Sequence, residues 1–470
     1  MPVDAAAPYR TRVRQALADD GLRAALDRAT EHLSGRRAKA MAEIDARRLR
    51  DEAGAVRRYA IEHLPDLLEQ LESNLIANGC QVHWARDASE ALGVVLEIAR
   101  AHHIGDVVKS KSMTTEEIGL NDALERSGID VVETDLGEFI VQLAGEPPSH
   151  IIAPVIHKRV EDIAEIFRRR LDTPHTTDPA ELCAAARREL RNEFLNADLG
   201  VSGCNFAIAE TGTICVVTNE GNGRMVTSLP RVYIAIAGIE KVVRSAEDAV
   251  LLWQAASRNA TGQAVSVYFS LTSGPRRRGD SDGPEEMHVI LLDNGRSRIL
   301  ERGYGDAALC IRCGACINIC PVYREIGGHA YGRTPYSGPI GAVLTPLLDY
   351  DIHAARDLPF ASSLCGACRD VCPVKIDLPR LLLDLRSVVV ERKVSTLGER
   401  ATLRAYATAM RQPAPYRVLV RLAGWLGPLT GLLPPLRTWR RSRSLPRFAR
   451  KRFGALWHER ARGDDESTAG

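Results

Sequence analysis

Cys310-Ile-Arg-Cys313-Gly-Ala-Cys316-Ile-Asn-Ile-Cys320-Pro321 decides the reading of this chain. Three cysteines at two-residue intervals, a fourth three residues on and then a proline is the spacing by which a tight loop presents thiolates to an iron–sulfur cubane. Gly314 and Ala315 leave room for the backbone to wrap such a group and to direct N–H groups at its sulfides. The fourth cysteine is carried past and serves a second cluster, and Pro321 is placed to end the turn. A near-copy follows as Ser362-Ser-Leu-Cys365-Gly-Ala-Cys368-Arg-Asp-Val-Cys372-Pro373. By the crossover of two-cluster motifs, Cys310, Cys313, Cys316 and Cys372 hold the first [4Fe-4S] cluster. Cys320, Cys365 and Cys368 hold the second, with one ligand missing, because Ser362 stands where the counterpart of Cys310 belongs. Paired C-x2-C motifs also suit a structural zinc. Two near-copies that each end in Cys-Pro favour clusters.

The rest of the composition agrees with metal-ligating thiols. Seven of the eleven cysteines fall in this short stretch. An oxidised secreted framework spreads its cysteines and pairs them evenly, so the crowding points to a reducing, cytoplasmic setting. Cys80, Cys183, Cys204 and Cys215 remain, and at least three of them are expected to be ordinary buried side chains. The chain of 470 residues is too long for one ordinary core. Its 45% apolar and 26% charged residues are those of a globular protein. A net charge of +2 gives no overall polyanion signal, and low aromatic content argues against a nucleic-acid binder. Basic residues concentrate only in the tail: Arg440, Arg441, Arg443, Arg447, Arg450, Lys451 and Arg452. No signal peptide or integral membrane span is expected. The most apolar candidate, Val418–Leu436, is interrupted by Arg421, Pro428, Pro434 and Pro435.

Four regions are expected. Residues 1–78 form a helical segment in which Ile61, Leu64, Leu67, Leu68 and Leu71 recur at helical spacing. Residues 79–300 form an α/β domain, its short apolar runs separated by helical segments and its sheet covered on both faces. Strands are expected near Asp106–Lys109, Ile129–Glu133, Phe206–Ala209, Ile214–Val217, Val232–Ile236, Val265–Phe269 and Val289–Leu292. Residues 301–392 form the mostly helical, bacterial ferredoxin-type two-cluster domain, and residues 393–470 a basic helical tail ending in a disordered Gly463–Gly470. Ser273–Pro284 reads as an exposed loop, with Arg276–Arg278 a solvated charge run.

Two α/β segments invite functional readings. Lys109-Ser-Lys-Ser-Met-Thr-Thr-Glu-Glu117 follows a strand and opens a helix capped by Thr114 and Glu117 and ended by Gly128. Lys109, Ser110, Lys111 and Ser112 either hold an anion there or form a capped solvent loop. Glu210-Thr-Gly-Thr213 reads as a hairpin turn, where Glu210 is an exposed turn carboxylate or, as the alternative, a catalytic acid. Gly221-Asn-Gly223 is too sparse for a dinucleotide fingerprint.

Together these segments resemble the lactate-utilisation protein B family. The residues that carry the resemblance are KSKSMTTEEIGLN, AETGT, VILLDNGR, CIRCGACINICPVYREIGGHAYGRTPYSGPIGAVLTPL and SSLCGACRDVCPVKIDLP. The resemblance implies a CoA-transferase and sugar-phosphate-isomerase type of fold for the α/β region. It implies electron transfer during oxidation of L-lactate to pyruvate, supporting growth on L-lactate. Two other lactate-utilisation subunits are implied as partners, with no independent catalysis here, no catalytic residue and an unnamed final acceptor. Its ligand pattern maps onto Cys310, Cys313, Cys316 and Cys372, then onto Cys320, Cys365 and Cys368, with no departure. The rival functions are electron transfer from another 2-hydroxy acid or an amino acid, and a CoA- or acyl-transfer enzyme with structural clusters and Glu210 as its carboxylate.

Overall fold

The structure is a computed structural model that describes residues 3–348, 352–426, 451, 453–458 and 460. The chain divides into a unit over Met1–Arg392 and a second over Lys393–Gly470. In the first unit the strands are β1 (Gln81–Ala85), β2 (Asp106–Lys109), β3 (Asp130–Glu133), β4 (Leu199–Gly203), β5 (Phe206–Ile208), β6 (Thr213–Thr218), β7 (Val232–Gly238), β8 (Val242–Val243), β9 (Tyr268–Thr272) and β10 (Glu286–Leu292).

Six of them form a parallel sheet in the order β1-β10-β7-β4-β2-β3. β7 lies inside the sheet and every one of its residues is buried, so its run of Val, Ile, Ala and Tyr needs no polar face. Alternation sorts its side chains. Ile234 and Ile236 join a core with Val107, Val131, Leu199 and the helix Ala88–Ala101. Tyr233, Ala235 and Ala237 face the opposite way and meet Leu64, Leu67, Leu68, Leu71 and Leu75 of the helix Leu64–Ala77. The apolar stripe of the N-terminal segment is therefore packing.

A second sheet, β8-β5-β6-β9, was not foreseen. β5–β6 and β6–β9 are antiparallel and β5–β8 is parallel. The buried face of this sheet does not close on itself. Phe206, Ile208, Cys215 and Val243 share one core with the helix Ala246–Ala260, with Leu26, Met41 and Ala53 of the N-terminal helices, and with the cysteine region from Ala307 to Leu385.

Several local expectations need correction. The helix after Lys109 is capped by Ser112, whose hydroxyl accepts the Thr115 N–H, and it stops at Gly119 with φ +67°. A second helix, Leu120–Arg126, follows, and Gly128 lies just beyond that one. The strand expected at Val265 begins instead at Tyr268. β1 and β4 were missed because their sequences mix polar and glycine positions. In β4 the glycines serve packing: a Cβ on Gly200 would lie 2.1 Å from the Val226 carbonyl oxygen, and one on Gly203 2.4 Å from Ser112 Oγ.

The second unit contains helices Leu397–Arg411 and Pro413–Leu426, the first opened by a Thr396–Glu399 capping box. No described helix is long and apolar enough to cross a membrane. Apart from Lys451, the basic tail residues lie outside the described residues, as do 427–436 of the apolar stretch and Gly463–Gly470.

Candidate functional site

The two cysteine loops share one backbone design. Arg312 and Leu364, each just before the second cysteine position, have φ of +59° and +55°. Gly314 and Gly366 follow at +73° and +87° and begin the short helices Ala315–Asn318 and Ala367–Val371. L-residues rarely occupy this region, so two successive copies of it mark a loop held by its surroundings. Pro321 does not merely end a turn. It opens the helix Pro321–Ile326 from its first position, where a missing N–H costs nothing.

Cys310, Cys313, Cys316 and Cys372 line one apolar cavity, together with Ile151, Ile311, Ile340, Val374, Ile376 and Leu378. Backbone donors face the sulfurs: Arg312 N–H reaches Cys310 Sγ at 3.4 Å and Ile376 N–H reaches Cys372 Sγ at 3.3 Å. Cys320, Cys365 and Cys368 line no part of that cavity. They are charge neighbours of one another, with Cys365 acting on Cys320, and Cys320 and Cys365 acting on Cys368. Cys316 also feels Cys368, so the two sets adjoin.

Spacing separates the two metal chemistries. Among the described residues no three of these sulfurs lie within 4.8 Å of one another. A tetrahedral zinc with Zn–S bonds of about 2.3 Å brings its sulfurs to roughly 3.8 Å. Four thiols lining one apolar cavity, no three of them that close together and with N–H groups turned toward sulfur, fit a four-iron cluster. Burial pushes the Cys313 and Cys368 thiols up to about 12 and also raises Cys316, Cys320 and Cys372. Bare thiols here are neutral, so iron binding releases protons.

Beside the first set lies a buried charged network. Glu240 meets Arg296 at 2.5 Å and Arg312 at 3.4 Å. Burial opposes its charge, but Arg296, Lys241 and Arg312 hold its carboxyl down to about 2. Glu117 accepts from Arg296 at 2.9 Å, from Asn294 Nδ2 at 2.6 Å and from the Tyr336 hydroxyl at 2.7 Å. The Arg312 guanidinium lies 4.8 Å from the centre of the Tyr336 ring. From the N-terminal helix Ala46–Glu62, Arg57 donates to four carbonyls: Glu240 at 2.6 Å, Ala308 at 2.9 Å, and Val242 and Leu309 at 3.2 Å.

Comparisons with known proteins match three stretches of the chain. A LUD domain model matches residues 68–292, a 4Fe-4S dicluster domain residues 306–376, and a lactate utilisation protein B C-terminal model residues 385–462. "Lactate utilization protein B" of Bacillus licheniformis is 42% identical, over 97% of this chain and 98% of that protein. The protein of the same description from Shouchella clausii is 44% identical over 95% and 96%, and that of Bacillus subtilis 43% over 95% of each. The chain belongs to the lactate utilization protein B family. A crystal structure of a duf162 family protein from Deinococcus radiodurans covers 49% of this chain and 98% of its own, at 16% identity and a TM-score of 0.29, and carries no argument here.

Within this family member, segments far apart in sequence meet at one place. Glu117 comes from the short helix after β2, Asn294 and Arg296 from the turn and helix start after β10, Arg312 from between the first two cysteines, and Tyr336 from the segment that follows. Sequence reading missed Arg57, Glu240, Lys241 and Arg296 as members, since nothing local marks a charge as buried. Lys109 corrects an expectation. It is fully buried against Glu133 at 2.7 Å and Glu116 at 2.9 Å, and these carboxylates more than offset burial and keep it charged. It is therefore spent internally and not offered to an anion. Glu210 is exposed at the β5–β6 turn, where Asn74 binds its carbonyl. Cys80, Cys204 and Cys215 are buried and Cys183 is exposed. Arg276 pairs with Glu285 at 2.6 Å on the exposed loop.

Proposed function

We propose that this chain is the iron–sulfur electron-transfer subunit of a complex that oxidises L-lactate to pyruvate, working with two other lactate-utilisation subunits in the cytoplasm. In this reading Cys310, Cys313, Cys316 and Cys372 bind one [4Fe-4S] cluster, and Cys320, Cys365 and Cys368 bind a second. The observation that carries it is the cavity lined by those first four cysteines, in a chain that belongs to this family. Bound clusters would accept and release electrons singly, and two of them match the two electrons that a 2-hydroxy acid gives up. The protein's own contribution is burial, N–H donors to the sulfurs and a rigid charged frame, which set where the clusters sit and how readily they are reduced. For the α/β region we propose the CoA-transferase and sugar-phosphate-isomerase type of fold, supported by its six-stranded parallel sheet with helices on both faces.

An acyl-transfer role for Glu210 draws no support from its exposed position on a hairpin turn. The test is growth of a strain lacking this chain on L-lactate as sole carbon source. The strain is expected not to grow unless the wild-type chain is restored, and a Cys313→Ala chain should not restore it. Normal growth of the deletion strain overturns the reading.

A further inference from the structure

A cavity of about 260 Å³ opens at the carboxyl ends of the parallel strands. It lies where sheets of this kind place their ligands. Ser110 follows β2, Gly203 ends β4 and Asp135 follows β3 in its wall, while Ile311, Arg312 and Cys313 supply the side shared with the first cysteine cavity. Five of the fourteen buried side-chain polar atoms that lack a hydrogen-bond partner among the described residues belong to its lining: Lys111 Nζ, Thr218 Oγ1, Asn222 Oδ1, Ser257 Oγ and Arg312 Nη1. Asn222 is 3% exposed, Ser257 4% and the Arg312 side chain 9%. A buried polar group left unpaired carries a desolvation penalty that no hydrogen bond offsets. Concentrating them around one cavity is the signature of a missing polar ligand.

We propose that this cavity binds a small 2-hydroxy or 2-oxo carboxylate, held directly against the first cysteine set. The inference rests on the proposed function for the identity of the acid and adds where on this chain it sits. Three cationic side chains, Lys111, Lys241 and Arg312, line the cavity against two acids, Asp135 and Glu220. Burial and the neighbouring Asp135 push the Glu220 carboxyl up to about 7, so among the lining groups the cations outnumber the ionised acids, while Glu240, outside the lining, pairs with Arg312 at 3.4 Å. Lys111 comes no closer than 3.6 Å to Glu138, its nearest carboxylate. Burial and Arg312 lower Lys241 to about 8, which still leaves it a cation at neutral pH for an arriving carboxylate to meet. Asn222 Nδ2 is already engaged by Thr134, and its free Oδ1 is an acceptor for a ligand hydroxyl. Ile151, Ile152 and Val217 offer an apolar wall for a methyl group. The volume lies at the lower limit of small-molecule sites, fitting a three-carbon acid better than a nucleotide.

The test is titration calorimetry on the anaerobically purified, cluster-loaded full chain with L-lactate, pyruvate and inorganic phosphate as probes. One of the two organic acids is expected to saturate a single class of site, and phosphate to bind at least about tenfold more weakly. Lys241→Met and Asn222→Ala should each weaken that acid about tenfold or more while the cluster absorption spectrum is unchanged. Absence of saturable binding by either acid overturns the proposal. So does equal binding of phosphate, or unchanged affinity in both variants. If binding is absent while the deletion strain still fails to grow on L-lactate, the site is wrong and the functional reading stands. If binding is present and that strain grows normally, the functional reading is wrong and the site stands.

Discussion

In the second cysteine loop, Ser362 Oγ accepts the N–H of Leu364 at 3.1 Å. Cys310 Sγ accepts the N–H of Arg312, two residues on, in the first loop at 3.4 Å. The serine thus occupies the structural slot of the cysteine, with the same hydrogen bond and the same positive φ at the residue that donates it. The loop is complete in shape and differs at this corner by one atom, oxygen for sulfur.

The metal content follows from the two sulfur sets. Anaerobically purified protein should contain about eight iron and eight sulfide per chain. Colorimetric iron and sulfide assays check this, and zinc in their place sinks the assignment. Cys313→Ala should lower iron to about four, with far-UV circular dichroism largely retained, because the parallel sheet has cores of its own. The second sheet shares its core with the cysteine region, so broadened amide signals there, near Phe206 and Cys215, are the expected local cost.

Arg57 is the second target. It is fully buried, and burial lowers it to about 10 while its five N–H donors satisfy four carbonyls from two parts of the chain. Arg57→Met fills the volume but strands those carbonyls. A loss of about 3–5 kcal/mol is expected, read as a lower denaturant midpoint. A midpoint within experimental scatter of the wild type would show that the clamp contributes nothing.

How much of this was legible in the sequence depends on the range of the interaction. A 4Fe-4S dicluster region was readable because cysteine spacing is a local property, and so was the β5–β6 turn. Gly212 in that turn is required because a Cβ there would lie 2.5 Å from the backbone of Asn74. β4 was illegible because Gly200 and Gly203 answer to neighbours distant in sequence, Val226 and Ser112. Lys109 was misread for the same reason. A lysine after a strand is ordinarily solvated, and only Glu133, brought alongside by the pairing of β2 with β3, makes it a core residue.

That lysine gives a pH-dependent prediction. Lys109→Met leaves Glu133 buried with no cation, raising further a carboxyl that burial already lifts above its usual 4.5. A carboxyl whose folded pKa is raised favours the folded state when protonated, so the penalty is absent below the unfolded pKa and grows as pH rises toward the folded one. The variant should be about 3–5 kcal/mol less stable than wild type at pH 8. The deficit should shrink steadily at pH 7 and pH 6 in urea unfolding curves. A deficit that is constant across that range would mean that Glu133 stays ionised without its partner.

The serine corner gives the last prediction. Ser362 Oγ is placed as the cysteine sulfur is, yet oxygen is a harder and poorer ligand than thiolate for cluster iron. Its hydroxyl must also lose a proton to bind firmly, and Cys365 beside it is exposed, so solvent reaches this side. Iron at this corner is therefore expected to leave first, giving a three-iron form on brief exposure to limited air, read by electron spin resonance. Ser362→Cys should suppress that signal and leave the first cluster's spectrum unchanged, since the loop already presents a side chain from residue 362 in the cysteine geometry. The buried Tyr331 hydroxyl is the competing oxygen. It has no hydrogen-bond partner among the described residues and counts Cys320 and Cys316 among its charge neighbours. If the wild type never gives the three-iron signal as iron is lost, and Tyr331→Phe does, the fourth ligand is that phenol and the serine is a spectator.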